Sequence, residues 1–227
     1  MNELRVRVGD RAGEVSALFD HPRGARALIA LAHGAGAGMR HAFMEAVSAR
    51  LVAARIATFR YQFPYMEERR RAPDPPGVLT ATVRAAVEAA AKSAPDLPLF
   101  AGGKSLGGRM TSTAAAQGAL AGVRGIAFFG FPLHAPGKPG RARADHLRDV
   151  KLPMLFLQGT RDPLADLGEL RPVLDELGDR AQLHVVEGGD HSFHVLKRSG
   201  RSDAEVLDEL CARVAEWIEK LAGVGRS

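Results

Sequence analysis

The sequence predicts an α/β fold: a mostly parallel mixed sheet with helices on both faces and an antiparallel hairpin at its N-terminal end. Three observations predict it. Short continuous apolar runs, closed off by Gly or Pro, recur along the chain, as expected of strands buried on both faces. Between them lie longer stretches with apolar residues at helical spacing, so that strand and helix alternate. Only residues 1–19 depart from this, alternating polar and apolar side chains as half-exposed antiparallel strands do.

The elements follow in order. Met1–Val8 alternates and reads as a strand, with 13–19 as its hairpin partner after a turn at Gly9-Asp10. Ala27–Ala32 is a buried strand ended by a Gly-rich loop, residues 41–54 carry Phe43, Val47 and Leu51 at helical spacing, and a strand follows at 56–59. A Pro-rich loop over 63–77 leads into a helix at 79–93 with Val83, Val87 and Ala90 on one face. Leu99–Gly102 is a strand, and a helix begins directly after Ser105. Then come a strand at 125–130, a loop with Pro132, Pro136 and Pro139, a strand at 154–159 and a helix at 165–177. The last strand is expected at 183–187, and the last helix at 203–221, where Val206, Leu210, Val214, Trp217 and Ile218 form a stripe. No internal repeat or long linker divides the chain, so residues 1–227 are read as a single domain with no inserted cap.

Composition narrows the function classes. The net charge of +5, from 31 basic and 26 acidic residues, reads as solvated surface and not as a nucleic-acid interface. The densest basic cluster, Arg69-Arg70-Arg71, follows Glu67-Glu68, and no stacking aromatics are interleaved with it. Cys211 is the only cysteine, so no internal disulfide forms; it falls in a helical pattern, as a buried structural thiol does. The N-terminus lacks the apolar core of a signal peptide, and no stretch approaches the ~20 apolar residues of a membrane span. The expected location is the cytoplasm, with no membrane partner. Oligomeric state has no signature in the sequence.

The strongest local signal is Gly103-Lys104-Ser105-Leu106-Gly107, set between an apolar strand and a helical stretch. That is the context of the Gly-x-Ser-x-Gly nucleophile elbow, in which a serine sits on a strained turn that side chains two residues away would obstruct. Two nucleotide readings fail. Gly-Lys-Ser lacks the earlier glycine of a phosphate loop, because position 98 is Pro, and Gly34-Ala35-Gly36-Ala37-Gly38-Met39 ends on Met39 and lacks an acid near residue 55.

A serine nucleophile needs a base, and the base an orienting acid. In this type of sheet the order is Ser, then Asp or Glu, then His. Asp162, locked by Pro163 just past the strand at 154–159, fits the acid, and His191, just past the last strand, fits the base. The spacings, 57 residues from Ser105 to Asp162 and 29 from Asp162 to His191, each leave room for further elements. His194 is the competing imidazole. An oxyanion hole is expected from the backbone N–H groups of Leu106 and Ala35, the latter in the loop His33-Gly34-Ala35-Gly36. The remaining histidines lack zinc-site spacing, so neither metal nor cofactor is expected.

These segments, together with Phe131-Pro132-Leu133-His134 and Gln158-Gly159-Thr160-Arg161-Asp162, resemble the α/β-hydrolases. In particular they resemble the small cap-less subgroup related to dienelactone hydrolases and to the KANL/Tex proteins. The resemblance implies the α/β-hydrolase fold and a Ser-His-Asp site acting on a small-molecule ester, or on a thioester or amide. Dienelactone hydrolases proper carry a Cys nucleophile where this chain has Ser105. Some relatives serve as interaction modules, so a non-catalytic binding module is the alternative reading. Phe63, Phe131, Leu133 and His134 are the expected substrate-binding side chains. The short Pro- and Gly-rich segment 131–144 leaves an open pocket suited to short acyl groups.

Overall fold

The computed structural model describes residues 1–9, 12–118 and 120–223. One sheet of eight strands runs through it: β1 (Asn2–Gly9), β2 (Gly13–Asp20), β3 (Ala27–Ala32), β4 (Ile56–Tyr61), β5 (Leu99–Lys104), β6 (Val123–Phe129), β7 (Met154–Gly159) and β8 (Ala181–Val186), in the order β1-β2-β4-β3-β5-β6-β7-β8. β2 is antiparallel to both β1 and β4, and every pairing from β4 through β8 is parallel. The hairpin and the alternation thus give the expected mixed sheet. Asp10, in the expected hairpin turn, lies outside the described residues.

Strand periodicity sends successive side chains to opposite faces, and the core divides accordingly. From β3, Leu28, Ala30 and Ala32 pack with Val83, Ala86 and Val87 of α3 (Pro76–Ser93). Ile29 and Leu31 point the other way, to Met44, Val47 and Leu51 of α1 (Ala42–Ala53) and to Leu210, Val214 and Trp217 of α6 (Asp203–Ala222). A third cluster joins Phe128 and Phe156 of the sheet to Leu170, Leu174 and Leu177 of α5 (Leu167–Leu177).

Boundaries shift where local chemistry outweighs periodicity. The loop expected over 63–77 holds a short helix, α2 (Pro64–Glu67), and α3 starts at Pro76, because proline is pre-set for a first helical turn. Helix α4 (Leu106–Ala116) begins immediately after Ser105. The segment after β6, expected as plain loop, ends in a 3₁₀ turn at Ala142–Asp149. Ser202 and Glu205 form a reciprocal capping box at the start of α6.

Helix α6 docks on the sheet through Trp217, whose ring lies over Gly125; a Cβ there would come within 2.6 Å of the indole. Gly125→Ala is therefore expected to lower the unfolding free energy by about 1–3 kcal/mol through overpacking. A urea melt followed by fluorescence of Trp217, the sole tryptophan, measures it; an unchanged midpoint and slope would show that the contact has slack.

Candidate functional site

The parallel strands end on one edge of the sheet, and there the loops after β5, β7 and β8 bring Ser105, Asp162 and His191 together. Among the described residues Ser105 is one of four non-glycine residues at positive φ, at φ 50° and ψ −116°. Such backbone strain costs about 1–3 kcal/mol and persists only where surroundings enforce it. Here Ser105 N–H donates to Phe129 O (3.2 Å) and Arg109 N–H donates to Ser105 O (3.1 Å), tying the turn to β6 and into α4. The flanking glycines are required by space. A Cβ at Gly107 would lie 2.5 Å from the carbonyl oxygens of both Ala32 and His33, and one at Gly103 would collide with the same Ala32 oxygen.

His191 Nε2 lies 2.8 Å from Ser105 Oγ, and its Nδ1 lies 2.7 Å from Asp162 Oδ2. A carboxylate offers only acceptors, so Nδ1 carries the proton and Nε2 turns its lone pair to the serine hydroxyl. Asp162 is withdrawn from solvent, with a side-chain exposure of 0% against 20% for His191. Its charge is matched by donors: Leu164 N–H reaches Oδ1 (2.8 Å), and Gln158 Nε2 reaches Oδ2 (2.5 Å) beside His191. His194, the competing imidazole, turns outward and pairs with Asp203 at 2.8 Å, which raises its pKa. Asp190 holds the loop by accepting from Ser192 N–H and His194 N–H.

The loop after β3 faces the same serine. His33 is fully buried; its Nδ1–H donates to Gly34 O (2.8 Å) and its Nε2 accepts from Phe63 N–H (3.1 Å). That pairing needs a neutral ring, and burial pushes its pKa down to about 4. Tyr65 Oη accepts from Gly36 N–H. Ala35 sits on the rim beside Ser105, and Leu106 opens α4, where its N–H has no intrahelical acceptor.

A cavity of about 510 Å³ opens at Ser105. Ala35, Ala37, Phe43, Met44 and Leu164 give it apolar walls, and His41, Lys104, His191 and Ser192 add polar ones. The four side chains expected to bind substrate do not line it. Phe63, Phe131 and Leu133 are buried to 1% exposure or less, because the chain turns them inward as it leaves the strands: Phe63 meets His33 edge-on and stacks with Tyr65, and Phe131 packs on Phe128 and Phe156. His134 is half-buried and folds back onto Ala135 O. The wall comes instead from the start of α1, whose sequence reads simply as an amphipathic helix.

Sequence reasoning also passed over Gln158, which is wholly buried. It donates to Asp162 and accepts from Phe131 N–H (3.0 Å), linking the acid to the loop after β6. A polar residue closing an otherwise apolar strand, Met154–Gln158, was the available signal. Among the described residues no group of three or more His, Cys, Asp or Glu side chains could hold a metal ion, and no helix is long and apolar enough to cross a membrane.

Residues 25–219 match the family model of the alpha/beta hydrolase domain, and the chain belongs to that family. Among solved structures it is similar to dienelactone hydrolase from Anabaena variabilis, with 20% identity and a TM-score of 0.78 over 97% of each chain. It is also similar to an a/b serine hydrolase without lid from Xanthomonas campestris (19% identity, TM-score 0.74, 95% of this chain and 94% of that one). A third is Est1E from Butyrivibrio proteoclasticus, solved with ferulic acid bound (15% identity, TM-score 0.73, 92% of this chain and 96% of that one). At these identities the likeness is one of fold.

Gln158→Leu removes a partner from both Asp162 and Phe131 N–H. Asp162 keeps Leu164 N–H and His191, but Phe131 N–H is left unpaired, so the unfolding free energy is expected to fall by about 1–3 kcal/mol. Urea denaturation of the purified variant measures it, and a stability equal to that of the unaltered protein would contradict the pairing described.

Proposed function

We propose that the chain is a serine hydrolase that cleaves a small carboxylic ester through an acyl-enzyme, with Ser105 as nucleophile, His191 as base and Asp162 as the orienting acid. The observation that carries the reading is the continuous hydrogen-bond chain from Asp162 through His191 to a serine held at positive φ. A binding module of the same fold has no use for that strain or for a buried carboxylate beneath the imidazole. Support also comes from the family and from the a/b serine hydrolase among its structural neighbours.

The reaction follows from the atoms present. Ser105 Oγ attacks the ester carbonyl carbon while its proton passes to His191 Nε2. The carbonyl oxygen becomes an oxyanion, held by the N–H groups of Ala35 and Leu106, and the first turn of α4 adds its positive dipole end. Collapse of the tetrahedral adduct breaks the C–O bond, and the departing alkoxide takes the proton from His191. Water then repeats the sequence on the acyl-enzyme, with His191 first as base and then as acid, and Ser105 is restored. Asp162 keeps the imidazole in one tautomer and stabilises the imidazolium at each step. No cofactor enters this scheme. Thioesters and amides would follow the same steps. We further propose that the chain works as a single domain without a cap, in the cytoplasm, on a small-molecule ester.

Ser105→Ala is expected to reduce turnover of p-nitrophenyl acetate by about 10³-fold or more, with His191→Ala equally damaging and Asp162→Asn somewhat less so. His194→Ala is expected to stay within about threefold of the unaltered protein, because a surface ion pair contributes little. Steady-state kinetics on the four folded variants measures this. Full activity in Ser105→Ala, or loss in His194→Ala with retention in His191→Ala, would overturn the assignment.

A further inference from the structure

The residue between Gly103 and Ser105 is a lysine, and the reaction scheme above does not use it. The side chain of Lys104 is part-buried at the cavity wall. Its Nζ donates to the main-chain oxygen of His191 at 2.5 Å and stands 5.9 Å from the ring centroid of Phe43 and 5.5 Å from that of Phe193. Both distances are within reach of a cation–π attraction. Gly130 makes room for it: a Cβ there would fall 3.1 Å from Lys104 Nζ and 3.4 Å from His191 Nδ1. Among the described residues no carboxylate forms an ion pair with this ammonium; Asp162 and Asp190 act on it only from a distance.

That is a costly arrangement for a merely structural residue. A buried charge without a paired carboxylate is unfavourable, and burial pushes the ammonium down to about 8 against the opposing pull of Asp162 and then Asp190. A methionine would fill the slot beside the two stacked phenylalanine rings without that cost. What a methionine lacks is a donor for His191 O and a positive charge beside the imidazole.

We propose that Lys104 is a positioning residue of this site, whose ammonium clamps the main chain of His191 to the nucleophile strand and so fixes the imidazole over Ser105. The inference rests on the serine-hydrolase reading above. The clamp adds a second link to the one the imidazole makes with Ser105: one end is covalently next to the nucleophile, and the other grips the main chain of the residue that carries the base. Its charge has a second effect. Coulomb repulsion acts between the ammonium and any positive charge that forms on the ring during the reaction. The other charged or titratable groups around His191 are Asp162 after β7, Asp190 and His194 in its own loop, Arg161 bound to Gly188 O on the outer side, and His41 across the cavity at the start of α1.

The test compares the unaltered protein, Lys104→Met, Lys104→Arg and Ser105→Ala on p-nitrophenyl acetate from about pH 5 to about pH 10, with thermal melts as the check on folding. Lys104→Met is expected to lower kcat by about 10- to 100-fold while KM changes less than about threefold. The acid limb of kcat/KM is expected to move to higher pH by on the order of one unit, because removing a cation favours the imidazolium. Lys104→Arg, which retains charge and donors, keeps the limb in place. A purely structural lysine would move stability and leave the limb where it was. Lys104→Met with an unaltered kcat and an unmoved limb overturns the clamp while leaving the serine-hydrolase reading intact. Absence of Ser105-dependent turnover in the unaltered protein overturns that reading and this inference with it. Should Lys104→Met fail to fold, NMR of the unaltered protein decides. The His191 Hε1 resonance is expected to shift a second time as Lys104 gives up its proton near pH 8, and a single inflection overturns the proposal.

Discussion

The closeness of the turn after β5 to the end of β3 is the constraint on which the site depends. The carbonyl of Ala32 occupies the space that side chains at 103 and 107 would need, so both positions are glycine and the backbone between them is forced through the positive φ of Ser105. That geometry lifts the serine out of the sheet and starts α4 at the next residue, so that free N–H groups stand beside the hydroxyl. It also sets the loop after β3 against the nucleophile, since Gly34 packs on Lys104 and Ser105. His33 maintains this loop from beneath, its two ring nitrogens tied to Gly34 O and Phe63 N–H.

Around this turn, burial and charge are graded. Asp162 lies deepest, with three donors on its two oxygens, so its negative charge is supported by fixed dipoles and not by water. The imidazole stands between that carboxylate and Ser105, and both His191 and Ser105 line the cavity. Preorganisation of this kind is what an acyl transfer needs, because charge that develops at the carbonyl meets groups already aligned with it. Lys104 and Gln158 bind the arrangement from behind, one through the main chain of His191 and the other through the carboxylate of Asp162.

Much of this was legible in the sequence, for reasons that can be named. Periodicity separated buried parallel strands from helices, and the polar–apolar alternation of residues 1–19 marked the antiparallel hairpin. The elbow was legible because its glycines answer a steric demand local in sequence, and the Asp162 and His191 positions because both follow apolar strands directly. The lining of the cavity was not. Phe63 and Phe131 lie next to the site along the chain, yet sequence does not say which way a side chain turns after a strand ends, and these turn inward. His41, Phe43 and Met44 reach the cavity only through packing of α1 on the sheet. The partnerships of Lys104 and Gln158 were hidden too: Lys104 meets His191 from 87 residues away, and Gln158 meets Phe131 from 27, separations at which no pattern in the sequence speaks.

The proposal that unites these features is that Ser105 is an activated nucleophile lining an accessible cavity. It is tested most directly by reaction of the native protein with a fluorophosphonate, followed by peptide mapping of the adduct. The account predicts one adduct per chain on Ser105, formed rapidly in the folded protein and lost when the protein is denatured beforehand. No adduct on a demonstrably folded protein, or an adduct on another residue with Ser105 unmodified, would contradict it.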